Sequence, residues 1–229
     1  MASETVRSGS SHPLSRGGTP REGSQARPGR APGTRLTVAV FCGAADGSDR
    51  YLQAAAAIGR TLAEHDVHVL YGGGRLGLMG TVANAALAAG GKVTGIIPDF
   101  LQALGVAHPG LTDLRIVPDM ATRKEQLVAG AHAVVALPGG FGTLDELAHV
   151  WSGSALGLCP PLPVGLLNTD GFYSPLTVFV RNAVASGFLA HHGHLPLEDL
   201  LLTDDTPERL VETVLSHVQA TNGLHHPAA

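Results

Sequence analysis

The chain has 229 residues, 44% of them hydrophobic and 15% charged, so it can bury the core of one ordinary α/β domain. A formal charge of −4 is mild and argues against broad binding to nucleic acid or to a membrane surface. No apolar run approaches membrane-spanning length, and the N-terminus lacks the apolar core of a secretory signal.

Residues 1–34 are rich in Ser, Gly, Pro and Arg and hold almost no large apolar side chains. Burial cannot offset the entropy of ordering such a stretch, so it reads as a disordered, solvated tail. No amphipathic transit-peptide helix is visible in it. One domain is expected over residues 35–220, followed by a flexible terminus at 221–229.

From Leu36 onward, β-rich runs at 36–41, 68–71, 92–97, 114–117, 133–137, 163–167 and 200–203 alternate with helical stretches. The helices are expected at 49–65, 81–89, 122–130, 143–156, 174–186 and 207–217. Thr206-Pro207-Glu208 opens the last one with a cap, a proline at the first helical position and a first-turn acid. Ser174-Pro175 opens its predecessor in the same way. Runs such as Ala133-Val134-Val135-Ala136-Leu137 are apolar without alternation, as in a parallel sheet covered by helices on both faces. The expected fold is therefore α/β: a three-layer, Rossmann-like, doubly wound parallel sheet with ligands at the carboxyl ends of its strands.

Three glycine loops follow predicted strands. They are Cys42-Gly43-Ala44-Ala45-Asp46-Gly47, the stretch from Tyr71-Gly72-Gly73-Gly74 to Gly77-Leu78-Met79-Gly80, and Leu137-Pro138-Gly139-Gly140-Phe141-Gly142-Thr143. Each brings free backbone N–H groups to a helix start, where they and the helix dipole attract phosphate. Tight turns alone would explain one such loop; three at strand ends point to a nucleotide or sugar-phosphate site. The second loop fits Gly-x-Gly-x-x-Gly, but no acidic residue ends the next strand, which runs into Ile96-Ile97-Pro98, so dinucleotide binding is not expected. No Gly-Lys-Ser/Thr of a Walker A loop is present.

In the third loop, Thr143 stands where a helix should begin and Glu146 lies three residues later. Two readings stay open. Thr-x-x-Glu can be a capping box, with Glu146 folded back onto the Thr143 N–H. Alternatively Glu146 faces a bound sugar for acid/base work. Arg123 and Lys124 follow Pro118-Asp119-Met120 at the preceding helix start, where cations oppose the helix dipole. Lys124 is one of only two lysines, with Lys92. If the fourth and fifth strands are neighbours, Arg123 and Glu146 share one cleft. Cys42 and Cys159 are far apart and form no disulfide framework; both read as structural, in a reducing cytoplasm. His191-His192-x-His194 reads as a solvated loop, His149 as packed or exposed, and Trp151 as core or interface.

Pro138-Gly139-Gly140-Phe141-Gly142-Thr143-Leu144-Asp145-Glu146 resembles the Pro-Gly-Gly-x-Gly-Thr-x-x-Glu signature of the LOG ("lonely guy") family. Met120-Ala121-Thr122-Arg123-Lys124 resembles its Met-x-x-Arg-Lys element. Phe41-Cys42-Gly43, Ile97-Pro98 and Leu167-Asn168-Thr169-Asp170-Gly171-Phe172-Tyr173 also fit, in order from about residue 37 to 189. The resemblance implies a cytokinin riboside 5′-monophosphate phosphoribohydrolase, catalytic Arg123 and Glu146, and a homodimer. Substrate and phosphate contacts are expected at Lys124, Gly139, Gly140, Phe141, Gly142, Thr143, Gly73, Gly74, Met120 and Ser152. Ser152 stands where the family often has a threonine. Members are also called lysine decarboxylases, but no pyridoxal-phosphate lysine motif is recognisable here. Ala121 replaces a common histidine, and Ala44-Ala45 a common Ser-Ser pair, which bears on base preference.

The expected chemistry is cleavage of the bond from C1′ to a purine nitrogen. The third loop and Lys124 would hold the 5′-phosphate and so orient the ribose. Glu146 would stabilise the positive charge that develops on the ribose, or orient a hydroxyl or the attacking water. Arg123 would position Glu146 and substrate, or assist the departing base. Neither a metal nor a cofactor is called for. The alternatives are a general AMP or GMP nucleosidase and a non-catalytic nucleotide or cofactor carrier on the same fold.

Overall fold

A computed structural model describes residues 35–189 and 201–223 of the chain. The expectations for residues 1–34 and for His191, His192 and His194 lie outside the described residues. Seven strands form one sheet: β1 Thr37–Phe41, β2 His68–Tyr71, β3 Val93–Pro98, β4 Asp113–Val117, β5 Ala133–Ala136, β6 Val164–Leu167 and β7 Leu201–Asp204. The helices are α1 Asp49–Glu64, α2 Gly77–Ala88, α3 Asp99–Ala103, α4 Met120–Gly130, α5 Phe141–Ala155, α6 Ser174–Ala185 and α7 Pro207–Gly223.

All neighbouring strands pair in parallel, in the order β4-β3-β2-β1-β5-β6-β7. Side chains alternate between faces along each strand. Val38 and Val40 of β1 and Val69 and Tyr71 of β2 face a core closed by α1, α2 and α7. Ala39, Phe41, Leu70 and Ile96 face a second core with Leu127 of α4 and Leu147 and Val150 of α5. Helices therefore cover both faces, which is why the strands carry continuous apolar runs. Among the described residues, no helix is long and apolar enough to cross a membrane.

The chain winds from β1 outward to β4, then returns to the centre to lay β5 against β1. β4 and β5 are thus not neighbours, contrary to the assumption made from chain order; β3, β2 and β1 lie between them. The return is made by α4, which packs across β3, β2 and β1. In such a sheet a crevice opens where the winding reverses, here between the carboxyl ends of β1 and β5.

Three helices begin before their expected starts: α2 at Gly77, α4 at Met120 and α5 at Phe141. For α2 and α5 the added turns contain glycines, whose poor helix propensity tertiary context overrides; α4 starts at Met120 because Asp119 caps it. α4 is capped by Asp119, whose Oδ1 accepts from the Thr122 N–H at 2.7 Å. The five-residue α3 carries too little periodicity to announce itself, and α7 runs past the expected end at His217.

Candidate active site at the sheet switch point

The first and third glycine loops meet at the reversal point. Gly43 N–H donates to the Pro138 carbonyl at 3.1 Å, and a Cβ on Gly43 would lie 3.3 Å from the Gly139 Cα. A Cβ on Gly139 would overlap the Thr143 hydroxyl, so these two backbones touch because neither carries a side chain. The second loop joins them through Gly77, whose left-handed φ of +62° sets it against the backbone of Ala44. The Ala44-Ala45 departure therefore falls where this contact is made by main chain.

Arg123 enters from α4. Its Nε donates to the Ile96 carbonyl of β3 at 3.2 Å, and its guanidinium lies against Gly72, where any Cβ would overlap Nη2. Nη1 reaches Oε1 of Glu146 at 3.2 Å and the Met120 sulfur at 4.0 Å. Only 9% of the Arg123 side chain and 8% of the Glu146 side chain are exposed. Burial lifts the Glu146 carboxyl from its ordinary 4.5 to about 7; Arg123 opposes that rise, neighbouring Asp145 adds to it and Lys124 opposes it. The carboxyl can therefore gain or lose a proton near neutrality.

The capping-box reading does not hold. Gly140, extended at φ −96° and ψ −153°, is the residue before the helix, no side chain caps α5, and Thr143 lies inside its first turn. Glycine enters this conformation without strain, so the helix starts before the threonine is reached, and Glu146 turns to Arg123.

The other expected residues divide. A Cβ on Gly140 or Gly142 would meet nothing within 4 Å, and neither has a positive φ. The fold does not demand glycine at either place. Phe141 between them is 91% exposed, while Thr143 is buried. Gly73 turns the second loop with φ +78°, and the Gly74 carbonyl accepts from the buried Tyr71 hydroxyl at 3.1 Å. Lys124 does not point freely to the loop: its ammonium lies 2.8 and 2.9 Å from the two carboxylate oxygens of Asp145. Ser152 donates to the Ala148 carbonyl of its own helix at 2.6 Å and is not brought to the Arg123–Glu146 pair by any bond.

Sequence reasoning placed Asp145 in the motif without a partner, and it gave no separate role to Gly72 or Tyr173. Asp145 had a signal, an acid beside Glu146 on a helix paired with a Lys beside Arg123. Tyr173 had none: its buried hydroxyl donates to the Leu137 carbonyl at 2.6 Å from 36 residues away and supports the third loop from below. Cys42 is buried under the same cluster; burial and the Glu146 charge push its thiol up, so it stays neutral and inert. Trp151 packs against the second core. Among the described residues, no three His, Cys, Asp or Glu side chains are placed to hold a metal. A depression of about 410 Å³ between Arg50, Asn168, Asp170 and Asp205 lies further along this edge and holds neither Arg123 nor Glu146.

Residues 79–214 match the family model described as "Possible lysine decarboxylase". The chain is 44% identical over 168 residues to the cytokinin riboside 5′-monophosphate phosphoribohydrolase of Rhodococcoides fascians, covering 72% of this chain and 82% of that protein. It is 45% identical over 160 residues to a probable cytokinin riboside 5′-monophosphate phosphoribohydrolase of Oryza sativa subsp. japonica, covering 69% of this chain and 70% of that one. Among solved structures, the molybdenum cofactor binding protein of Rippkaea orientalis matches with a TM-score of 0.62 at 21% identity, over 81% of this chain and 98% of its own. The molybdenum cofactor carrier protein of Chlamydomonas reinhardtii gives 0.61 at 20% identity, over 82% and 99%. At that identity the likeness concerns the fold alone.

Proposed function

The chain belongs to the LOG family of cytokinin riboside 5′-monophosphate phosphoribohydrolases, and from that membership we propose that it cleaves the N-glycosidic bond of an N6-substituted adenosine 5′-monophosphate, releasing the free base and ribose 5-phosphate. The observation that carries this reading is the buried Arg123–Glu146 pair, built from two helices at the switch point beside the open amides around Gly140 and Gly142.

The 5′-phosphate sits on those amides at the N-terminus of α5, where the helix dipole adds its partial positive charge. Gly73, Gly74 and Met120 line the approach, and Thr143 steadies the loop. Fixing the phosphate places C1′ near Glu146. As the bond from C1′ to the purine nitrogen lengthens, the ribose becomes positive and the ionised Glu146 stabilises it. Water then bonds to C1′ as the bond to the purine nitrogen breaks; the water's proton passes to Glu146 and from there to the departing base, which restores the carboxylate. Arg123 keeps Glu146 aimed and limits its burial cost. A pyridoxal-phosphate reaction finds less support, because Lys124 is already engaged by Asp145 and Lys92 immediately precedes β3, at the opposite end of the strands.

AMP is the unsubstituted substrate of the same site. We place the protein in the cytoplasm as a homodimer; exposed Leu156, Leu158, Phe179 and Phe188 support the dimer. The test is incubation with isopentenyladenosine monophosphate, with AMP and with isopentenyladenosine. Free base and ribose 5-phosphate are expected from the nucleotides, with little release from the nucleoside. Release from AMP alone would favour a general nucleosidase, and release from neither nucleotide would favour a carrier.

A further inference from the structure

The Arg123–Glu146 pair has a second rung beside it. Lys124, the next residue on α4, is clamped by Asp145, the residue before Glu146 on α5, through contacts of 2.9 and 2.8 Å. The two rungs differ in environment. The inner pair is almost fully buried, whereas the outer side chains are 18% and 57% exposed. An exposed pair of this kind contributes at most about 1 kcal/mol to stability, so the fold does not depend on it. Its effect is local: it holds an ammonium at the rim of the site and sets a carboxylate beside the catalytic one.

We propose that Asp145 is a positioning residue for the reaction. It holds Lys124 at the rim, so that the incoming phosphate must share this ammonium with a resident carboxylate, and it ties the second turns of α4 and α5 at the spacing that keeps Arg123 on Glu146. This inference rests on the hydrolase reading above. The groups that act on Glu146 are Arg123 and Lys124 from α4 and Asp145 from α5. Cys42 after β1 and Tyr173 before α6 also face it, both kept neutral by burial. Removing the Asp145 charge takes away a like charge and frees Lys124 to act on Glu146. Both changes favour the ionised carboxylate.

The experiment compares wild type, Asp145→Asn, Asp145→Glu, Lys124→Ala and the double variant Lys124→Ala/Asp145→Asn, using the nucleotide that the wild type hydrolyses. Asp145→Asn is expected to melt within a few degrees of wild type. Its Glu146-dependent pH limb should move down by roughly one unit. Its KM should fall, because the phosphate no longer competes for Lys124, and its kcat should fall with the lost positioning. Asp145→Glu should restore the wild-type limb, and in the Lys124→Ala background the Asp145 substitution should have much less effect on KM. A folded Asp145→Asn with wild-type kcat, KM and pH limb would overturn the proposal. If the wild type releases no base from any nucleotide, the hydrolase reading fails. Calorimetric titration of AMP then decides the part of the inference that needs no turnover, the hold of Asp145 on Lys124: tighter binding by Asp145→Asn supports it, and unchanged affinity refutes it.

Discussion

Glu146 is a carboxylate whose environment outweighs its partner. Burial raises it to about 7 although Arg123 stands 3.2 Å away, so its charge changes within the range where the enzyme is expected to work. If the ionised form is the active one, kcat/KM should rise with pH through an inflection near 7, and Glu146→Gln should remove the inflection and cost roughly 10²–10⁴-fold in rate. The stability linkage has the opposite sense. The folded state binds this proton more tightly than the unfolded chain, so the contribution is full below 4.5 and is lost as pH rises through about 7. Thermal melts of wild type and Glu146→Gln across that window should therefore converge on the acid side and diverge on the alkaline side. Gly72 sets a separate test. An added methyl group would occupy the space of the Arg123 guanidinium, a flexible side-chain end that can swing away. Gly72→Ala should thus still fold, but with a lowered melting temperature and the loss of most activity, because the buried Glu146 loses its partner. Arg123 and Glu146 were legible as candidates from motif and position. The role of Gly72 was not, because nothing in a glycine triplet says which member a guanidinium from another helix will cross.

Among the elements, α5 shows how a loop motif becomes a helix start. Gly140 caps without a side chain, Gly142 is already helical, and both leave their outer sides empty. Alanine at a helical position open to solvent stabilises a helix by about 0.5–1 kcal/mol relative to glycine. Gly142→Ala should accordingly raise the melting temperature slightly. It should also raise KM for the nucleotide, because the methyl group occupies the space through which the phosphate reaches the amides. A variant that gains stability with unchanged KM would remove the phosphate from this turn. The strands and most helices were readable from apolar periodicity. The starts of α2, α4 and α5 were not: the first turns of α2 and α5 contain glycine and have no side-chain cap, and that of α4 is fixed by the Asp119 cap.

At the scale of the whole molecule, the exposed apolar side chains of α5, α6 and the segments after them ask for a cover. Leu156, Leu158, Val178, Phe179 and Phe188 are all more than half exposed. A homodimer should appear in sedimentation as a particle of twice the 23.5 kDa chain, and Phe179→Asp should shift it toward the monomer. A monomeric wild type at micromolar concentration would refute the dimer. Residue order alone was enough for the fold class and for naming Arg123 and Glu146 as candidates, because local periodicity encodes burial on each strand and helix, and short motifs encode backbone geometry. Which side chains meet was settled only in three dimensions. Glu146 had two spacing-compatible partners, its own helix start and a cation from another helix. Spacing cannot rank them, since the outcome depends on β5 pairing with the central β1 while α4 carries Arg123 back across β3 and β2. Strand order depends on burial summed over the entire sheet, and no single segment carries that sum.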